Sequence, residues 1–276
     1  MLQNLLRKKI LLNSGYEMPV IGLGTWTLYN EIAENAVYNA LKSGYKLIDT
    51  AKNYENELAV GKGIKRTINE GLVTRKEIFV TTKIAPINVS DYDKIIDECN
   101  EELGLDYIDL MLIHNKSTSD IKLYKAIEKA IDDKKVHSWG ISNYYTKEDF
   151  DKIVENVEIM PAIIQNENHP FFQNLELQKY VANKGTVIES YYPLGGMNHT
   201  KDLMKNNLIE KIARKYGKTS AQIILRWHIQ SKYIVIPGTS KLKHIKENID
   251  IFDFELADNE MQEINNLNTN IRYENW

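Results

Sequence analysis

Four residues with acid–base chemistry stand at or just beyond short apolar runs. Asp49 closes the run Lys46–Asp49 and Tyr54 follows it, Lys83 follows Ile78–Thr82, and His114 follows Ile108–Ile113. An ammonium beside a phenol favours the phenolate and lowers the phenol's pKa from about 10, while a carboxylate beside the ammonium keeps it charged. A histidine in the same pocket can orient a carbonyl oxygen or share its proton. The set suits protonation of an oxygen that gains negative charge, as in carbonyl reduction, and does not suit metal-assisted hydrolysis. Singly, each such residue is most often a surface or capping group; four at successive strand ends point to one site.

The elements that must position them alternate. Eight short runs read as strands: Val20–Leu23, Lys46–Asp49, Ile78–Thr82, Ile108–Ile113, Val136–Ile141, Ala162–Gln165, Thr186–Tyr191 and Tyr233–Ile236. Between them helical periodicity predicts helices over Glu31–Ser43, Glu55–Asn69, Asp91–Leu103, Ile121–Asp132, Lys147–Asn156, Leu175–Asn183, Leu203–Gln230 (broken near Gly217) and Leu242–Asn248, with an extra C-terminal helix over Ala257–Leu267. Ser90 reads as an N-cap and Gly104 as the glycine after a helix end. Eight strand–helix pairs at this spacing predict an α/β fold, a (β/α)8 TIM barrel forming a single domain over residues 1–276, rather than an open sheet. Lys9–Met18, with Asn13-Ser14-Gly15 at its centre, predicts an N-terminal β-hairpin that could plug the barrel's N-terminal end.

Composition narrows the class. With 35 Lys+Arg against 38 Asp+Glu the chain of 276 residues carries a formal charge of −3, and its lysines are scattered, which argues against nucleic-acid binding. No apolar run reaches membrane-span length and Met1–Lys9 lacks signal-peptide order, so a cytoplasmic protein without a membrane partner is expected. The single cysteine, Cys99, lies among acidic neighbours that would raise its pKa.

The words at the strand ends form an ordered set: Gly22-Leu23-Gly24-Thr25-Trp26, Asp49-Thr50-Ala51-Lys52-Asn53-Tyr54, Thr82-Lys83, Leu112-Ile113-His114, Gly140-Ile141-Ser142-Asn143, Gln165, Ser190-Tyr191-Tyr192-Pro193-Leu194-Gly195, Ile236-Pro237 and Glu247-Asn248. This set resembles the aldo-keto reductase family, in particular its short bacterial-type aldehyde and ketone reductases, along the whole chain. The resemblance implies an NAD(P)-dependent alcohol dehydrogenase or carbonyl reductase that transfers hydride directly to a small-molecule carbonyl and acts as a monomer. It implies a catalytic tetrad of Tyr54, Asp49, Lys83 and His114, with Tyr54 as general acid for reduction. Ser142, Asn143 and Gln165 would hold the nicotinamide carboxamide and Tyr191 would stack on its ring. Further cofactor contacts would come from Gly24, Thr25, Asp49, Pro193, Leu194, Pro237, Thr239, Ser240, Lys241, His244, Glu247 and Asn248. Trp26, Tyr54, His114 and Asn115 would line the substrate pocket, and the tail from Arg272 would supply another wall.

Two departures bear on specificity. Where the family has a lysine after Ile-Pro this chain has Gly238, and a later arginine is His244; Thr239, Ser240 and Lys241 could replace those contacts, so NADP(H) is expected ahead of NAD(H). The family's His-Trp-Pro reads His114-Asn115-Lys116, which implies a more polar substrate and raises the idea that Lys116 attracts an anionic one. The runner-up reading is a non-catalytic nicotinamide-binding subunit that senses redox state.

Other motifs carry less. Gly217-Lys218-Thr219 lacks the earlier glycine of a phosphate-binding loop, Gly22-Leu23-Gly24 lacks the third glycine of a dinucleotide fingerprint, and the six histidines show no metal-ligand spacing, so no metal is expected. His137 and His228 read as structural.

Overall fold

The computed structural model describes residues 9–86 and 91–274, apart from the side chain of Met197. A hairpin opens the chain: β1 (Lys9–Leu11) and β2 (Glu17–Pro19) pair antiparallel, Lys9 opposite Pro19 and Leu11 opposite Glu17. Gly15 turns the chain at φ +85°, where a side chain would be strained.

Eight parallel strands follow in sequential order: β3 (Leu23–Gly24), β4 (Leu47–Asp49), β5 (Phe79–Ile84), β6 (Ile108–Ile113), β7 (Val136–Ser142), β8 (Ile163–Glu167), β9 (Val187–Tyr191) and β10 (Ile234–Val235). Parallel bridges from Ile21 to Val235 and from Gly24 to Gly238 join the first strand to the last and close the barrel. Glycine is needed at that seam, because a Cβ on Gly24 would lie 2.7 Å from the Ile236 carbonyl oxygen.

The alternation along each strand sorts the side chains. Outward residues such as Ile48, Val80, Met111, Trp139, Ile141 and Ile188 pack beneath the helices in the main core. Inward residues near the strand starts, Leu47, Phe79, Leu110, Leu112, Ile163 and Ile234, make a second cluster with Leu12 and Met18 of the hairpin. Leu12 and Met18 are 2% and 0% exposed, and Asn13 Nδ2 donates to Pro161 O at 3.1 Å, so the hairpin seals the N-terminal end.

The outer layer is α1 (Asn30–Lys42), α2 (Glu57–Asn69), α3 (Tyr92–Leu103), α4 (Asp120–Asp132), α5 (Lys147–Val154), α6 (Leu175–Asn183), α7 (Gly196–Met204), α8 (Asn207–Tyr216), α9 (Ser220–Gln230) and α10 (Leu242–Ile249), with α11 (Asp258–Asn265) as the extra C-terminal helix. The helical stretch expected over Leu203–Gln230 with a break near Gly217 does break there, at φ +64°, and it breaks once more than expected: Asn206 accepts the backbone N–H groups of Leu208 and Ile209 as a new N-cap, and Leu203 belongs to the end of α7. The helix expected from Glu55 starts at Glu57, since Glu55 sits at φ +53° after a 3-10 turn over Lys52–Tyr54. Ser90 lies outside the described residues; the cap of α3 is Asp91, whose carboxylate accepts the Lys94 N–H at 3.0 Å. Gly104 ends α3 at φ +63°, and His228 is a core residue held between the Ile224 and Asn168 carbonyls at 2.8 and 3.0 Å. Burial and then Glu57, more than the sequence neighbours, push the Cys99 thiol up. Among the described residues no helix is long and apolar enough to cross a membrane.

Candidate active site

The same inward alternation changes character toward the strand ends. Two residues after Leu47 comes Asp49; Phe79 leads through Thr81 to Lys83; Leu112 leads to His114; Ile163 leads through Gln165 to Glu167; Val187 leads through Glu189 to Tyr191. Of these, Asp49, His114, Gln165 and Tyr191 line one cleft of about 810 Å³ at the mouth of the barrel, within the range of small-molecule sites, and Lys83 and Glu189 lie buried against them.

At its floor Lys83, fully buried, places Nζ 2.6 Å from Asp49 Oδ1, 2.9 Å from the Thr50 carbonyl and 3.3 Å from Tyr54 Oη. The edge of the Tyr54 ring meets His114, with centroids 5.6 Å apart. Gln165 Nε2 donates both to Asp49 Oδ2 at 2.8 Å and to Glu189 Oε2 at 2.9 Å. Burial works against the Lys83 charge, but Asp49, Tyr54 and Glu189 together outweigh it and hold the ammonium above the usual lysine value. Burial outweighs the pull of Lys83 and Gln165 and holds the Asp49 carboxyl above the usual carboxylate value, and the 2.6 Å contact ties it to the Lys83 ammonium.

Tyr54 corrects an expectation. Lys83 does lower its pKa, but desolvation is larger and Asp49 adds to it, so the phenol lies above its ordinary value and rests protonated. Burial, with the Lys83 charge, drives His114 down to about 3; the imidazole is neutral, and its Nδ1 is buried without a hydrogen-bond partner among the described residues.

Of the residues singled out by sequence, Gly24, Trp26, Asp49, Tyr54, His114, Asn115, Ser142, Asn143, Gln165, Tyr191, Pro193, Leu194, Pro237, Thr239, Ser240, Lys241, His244, Glu247 and Asn248 all line the cleft. Thr25 and Lys83 lie behind its wall: Thr25 Oγ1 donates to the Asp49 carbonyl at 2.9 Å and is fully buried. Of the tail expected to wall the pocket, Tyr273 and Glu274 dock on β8, where Glu167 accepts their N–H groups at 2.7 and 3.0 Å, and Asn275 and Trp276 lie outside the described residues. Lys116 does not reach the cleft; it pairs with Asp149 at 2.9 Å.

Glu189, Glu167 and Tyr145 were not singled out as site residues. For the two glutamates the signal was available, as inward positions two residues from Tyr191 and Gln165. Nothing local marks Tyr145.

The outer arm of the cleft carries the donors an extended anionic cofactor needs. Thr239, Ser240, Lys241 and His244 gather at the start of α10, where unpaired helix N–H groups and a cation favour a phosphate. The inner arm offers Asn143, held at φ +67° by its N–H donating to Gln165 O and Asn166 Oδ1, and the Tyr191 ring. These residues fit a nicotinamide dinucleotide.

A closed parallel barrel with a buried Asp–Lys pair, a phenol and a neutral histidine at the ends of its second, third and fourth barrel strands defines a class of oxidoreductase scaffold. The chain belongs to the Aldo/keto reductase family, whose model matches residues 20–269. It is 35% identical over 306 aligned residues to the NAD(P)H-dependent D-xylose reductase I,II of Candida tropicalis, covering 96% of this chain and 93% of that one. Among solved structures, an aldo-keto reductase from a Medee basin deep-sea metagenome library superposes with TM-score 0.91 at 38% identity, covering 96% of this chain and 97% of that one. A Bombyx mori aldo-keto reductase in complex with NADP gives TM-score 0.88 at 33% identity, with 97% and 95% covered.

Proposed function

We propose that the protein is an NAD(P)H-dependent oxidoreductase that reduces an aldehyde or ketone to the alcohol, working as one barrel domain with Tyr54 as proton donor. The observation that carries this reading is Lys83 Nζ, charged by Asp49 at 2.6 Å and 3.3 Å from Tyr54 Oη. Bound across the cleft, the reduced nicotinamide supplies a hydride to the carbonyl carbon. Tyr54 Oη gives its proton to the carbonyl oxygen, and the Lys83 ammonium stabilises the phenolate left behind. Neutral His114 hydrogen-bonds the same oxygen from its ring N–H and orients the carbonyl. Trp26 and Asn115 wall the substrate. Ser142, Asn143 and Gln165 hold the carboxamide, Tyr191 supports the ring, and Thr239, Ser240 and Lys241 favour NADP(H) while leaving NAD(H) usable. The relatives support the cofactor class: one is an NAD(P)H-dependent reductase and one neighbour holds NADP.

The test is the loss of nicotinamide absorbance with NADPH or NADH and a panel of aldehydes and ketones, with Tyr54→Phe beside the wild type. Removing the general acid should slow turnover by about 10²- to 10⁴-fold. Because the phenol is held above its ordinary value, reduction should be flat across neutral pH, and alcohol oxidation, which needs the phenolate, should climb with alkaline pH. Cofactor binding without turnover on any carbonyl would favour a sensing subunit.

A further inference from the structure

Tyr145, which the reaction above does not use, sits at the centre of a one-way chain of hydrogen bonds. The amide oxygen of Asn143 can only accept, so Tyr191 Oη donates to it at 2.8 Å. Tyr145 Oη also reaches Asn143 Oδ1, at 3.4 Å, but the shorter 2.8 Å contact takes the Tyr191 proton, and Tyr191 Oη then accepts from Tyr145 Oη at 2.7 Å. Tyr145 Oη in turn accepts from the backbone N–H of Glu167 at 3.0 Å. The orientation of the Asn143 amide is settled at its other end, because Nδ2 donates to the His114 carbonyl at 2.9 Å, and a carbonyl cannot donate. Bonds that all run in one sense polarise one another.

Tyr145 itself is clamped. Asn174 Nδ2 donates to its carbonyl at 3.0 Å, and the Arg272 guanidinium lies 4.1 Å over its ring. Burial pushes its phenol up to about 12, so the hydroxyl stays protonated and able to accept and donate together. The residue that starts the chain, Glu167, also holds the C-terminal segment through its carboxylate, with Tyr273 stacked between His169 and His199 at centroid distances of 4.6 and 3.8 Å.

We propose that Tyr145 is a positioning residue: its hydroxyl locks the Tyr191 ring and the Asn143 amide in the cleft and ties both to the strand on which the C-terminal segment docks. This rests on the reading above that Tyr191 and Asn143 hold the nicotinamide. A phenol at this position serves the cofactor end of the cleft without touching cofactor or substrate.

The experiment is a titration of NADPH followed by quenching of the protein's tryptophan fluorescence, for wild type, Tyr145→Phe, Tyr191→Phe and the double variant, with thermal midpoints alongside. Tyr145→Phe should weaken NADPH binding about five- to tenfold, the fold-change one intramolecular hydrogen bond carries. In the Tyr191→Phe background the same substitution should change Kd less than about twofold, because the link through Tyr191 is already cut and only the long 3.4 Å contact from Tyr145 Oη to Asn143 Oδ1 remains. Equal losses in both backgrounds, the outcome of a purely structural role, overturn the proposal. If Tyr145→Phe does not fold, Tyr191→Phe cuts the chain one link on: a five- to tenfold loss of affinity, about one hydrogen bond's worth, supports the proposal, and unchanged affinity overturns it. Wild type that binds neither NADPH nor NADH overturns the cofactor reading and this inference together; wild type that binds, with variants indistinguishable from it, overturns the inference alone.

Discussion

At the floor of the barrel the inward side chains are Leu47, Phe79, Leu110, Ile163 and Val187, closed off by Leu12 and Met18; one or two inward positions further along the same strands they are Asp49, Lys83, His114, Gln165 and Glu189. The floor buries apolar surface, and the charge nearest it is paired: Arg75 bonds the buried Asp109 at 2.7 Å and stacks on Tyr107, and Tyr107 and Tyr16 sandwich His137. The mouth buries polar groups that are not all paired. It leaves Glu189 Oε1 and His114 Nδ1 without partners among the described residues and holds Glu189, mainly by burial and then by the nearby Asp49 charge, up to about 8. Such an arrangement costs folding free energy, so one end of the barrel is built for stability and the other for chemistry.

The largest effect that would sharpen this contrast is at the ion pair. Lys83→Met alone strands a buried carboxylate and should cost about 3–5 kcal/mol, whereas Asp49→Asn with Lys83→Met should be close to neutral in stability. Both should lose carbonyl reduction by at least about 10²-fold. Denaturant unfolding beside steady-state kinetics reads this, and a double variant as unstable as the single one would break the contrast.

At the floor, Leu12→Ala should cost about 2–4 kcal/mol through transfer and cavity terms. Turnover should stay at the wild-type value at a temperature where both are folded. A loss of kcat without a loss of stability would mean the plug reaches the site.

Glu189→Gln is a smaller, pH-dependent test. Its carboxyl is raised above the ordinary 4.5, so it favours the protonated form, and the stability it lends is present below that value and lost as pH rises through about 8. Glutamine mimics the protonated acid and can still accept from Gln165. Its thermal midpoint should exceed the wild type's by about 2–4 °C at alkaline pH and match it at acid pH. A difference that does not change with pH contradicts the assignment.

The smallest effect belongs to a rim charge outside both regions. Lys116→Ala breaks only an exposed pair with Asp149, and kcat/KM for anionic and neutral aldehydes should both stay within about twofold of wild type. A selective loss for the anionic aldehydes would restore Lys116 to the substrate site.

Much of the site was legible because the strand period is two and barrel chemistry collects at strand ends. Once Lys46–Asp49 and Ile78–Thr82 read as strands, Asp49 and Lys83 fall on the inward face, and the same rule, applied one step either way, reaches Glu189 and Glu167. Element ends were less legible. Asn206 caps a helix inside a stretch whose apolar periodicity runs on through it, so periodicity alone ran the end of α7 into α8, while Gly217 marked the break before α9.

The sequence by itself determined the order of strands and helices, the hairpin and the four acid–base residues, because periodicity, capping and strand-end placement are local. Tertiary structure decided the rest. Whether Tyr54 titrates below or above its ordinary value depends on how much water the closed barrel removes, and desolvation exceeds the pull of Lys83. Lys116 turned away because Asp149, from the next strand–helix unit, offered a nearer charge. Tyr145 joined the site through Tyr191 and Glu167, residues brought to it only when β7, β8 and β9 lie side by side.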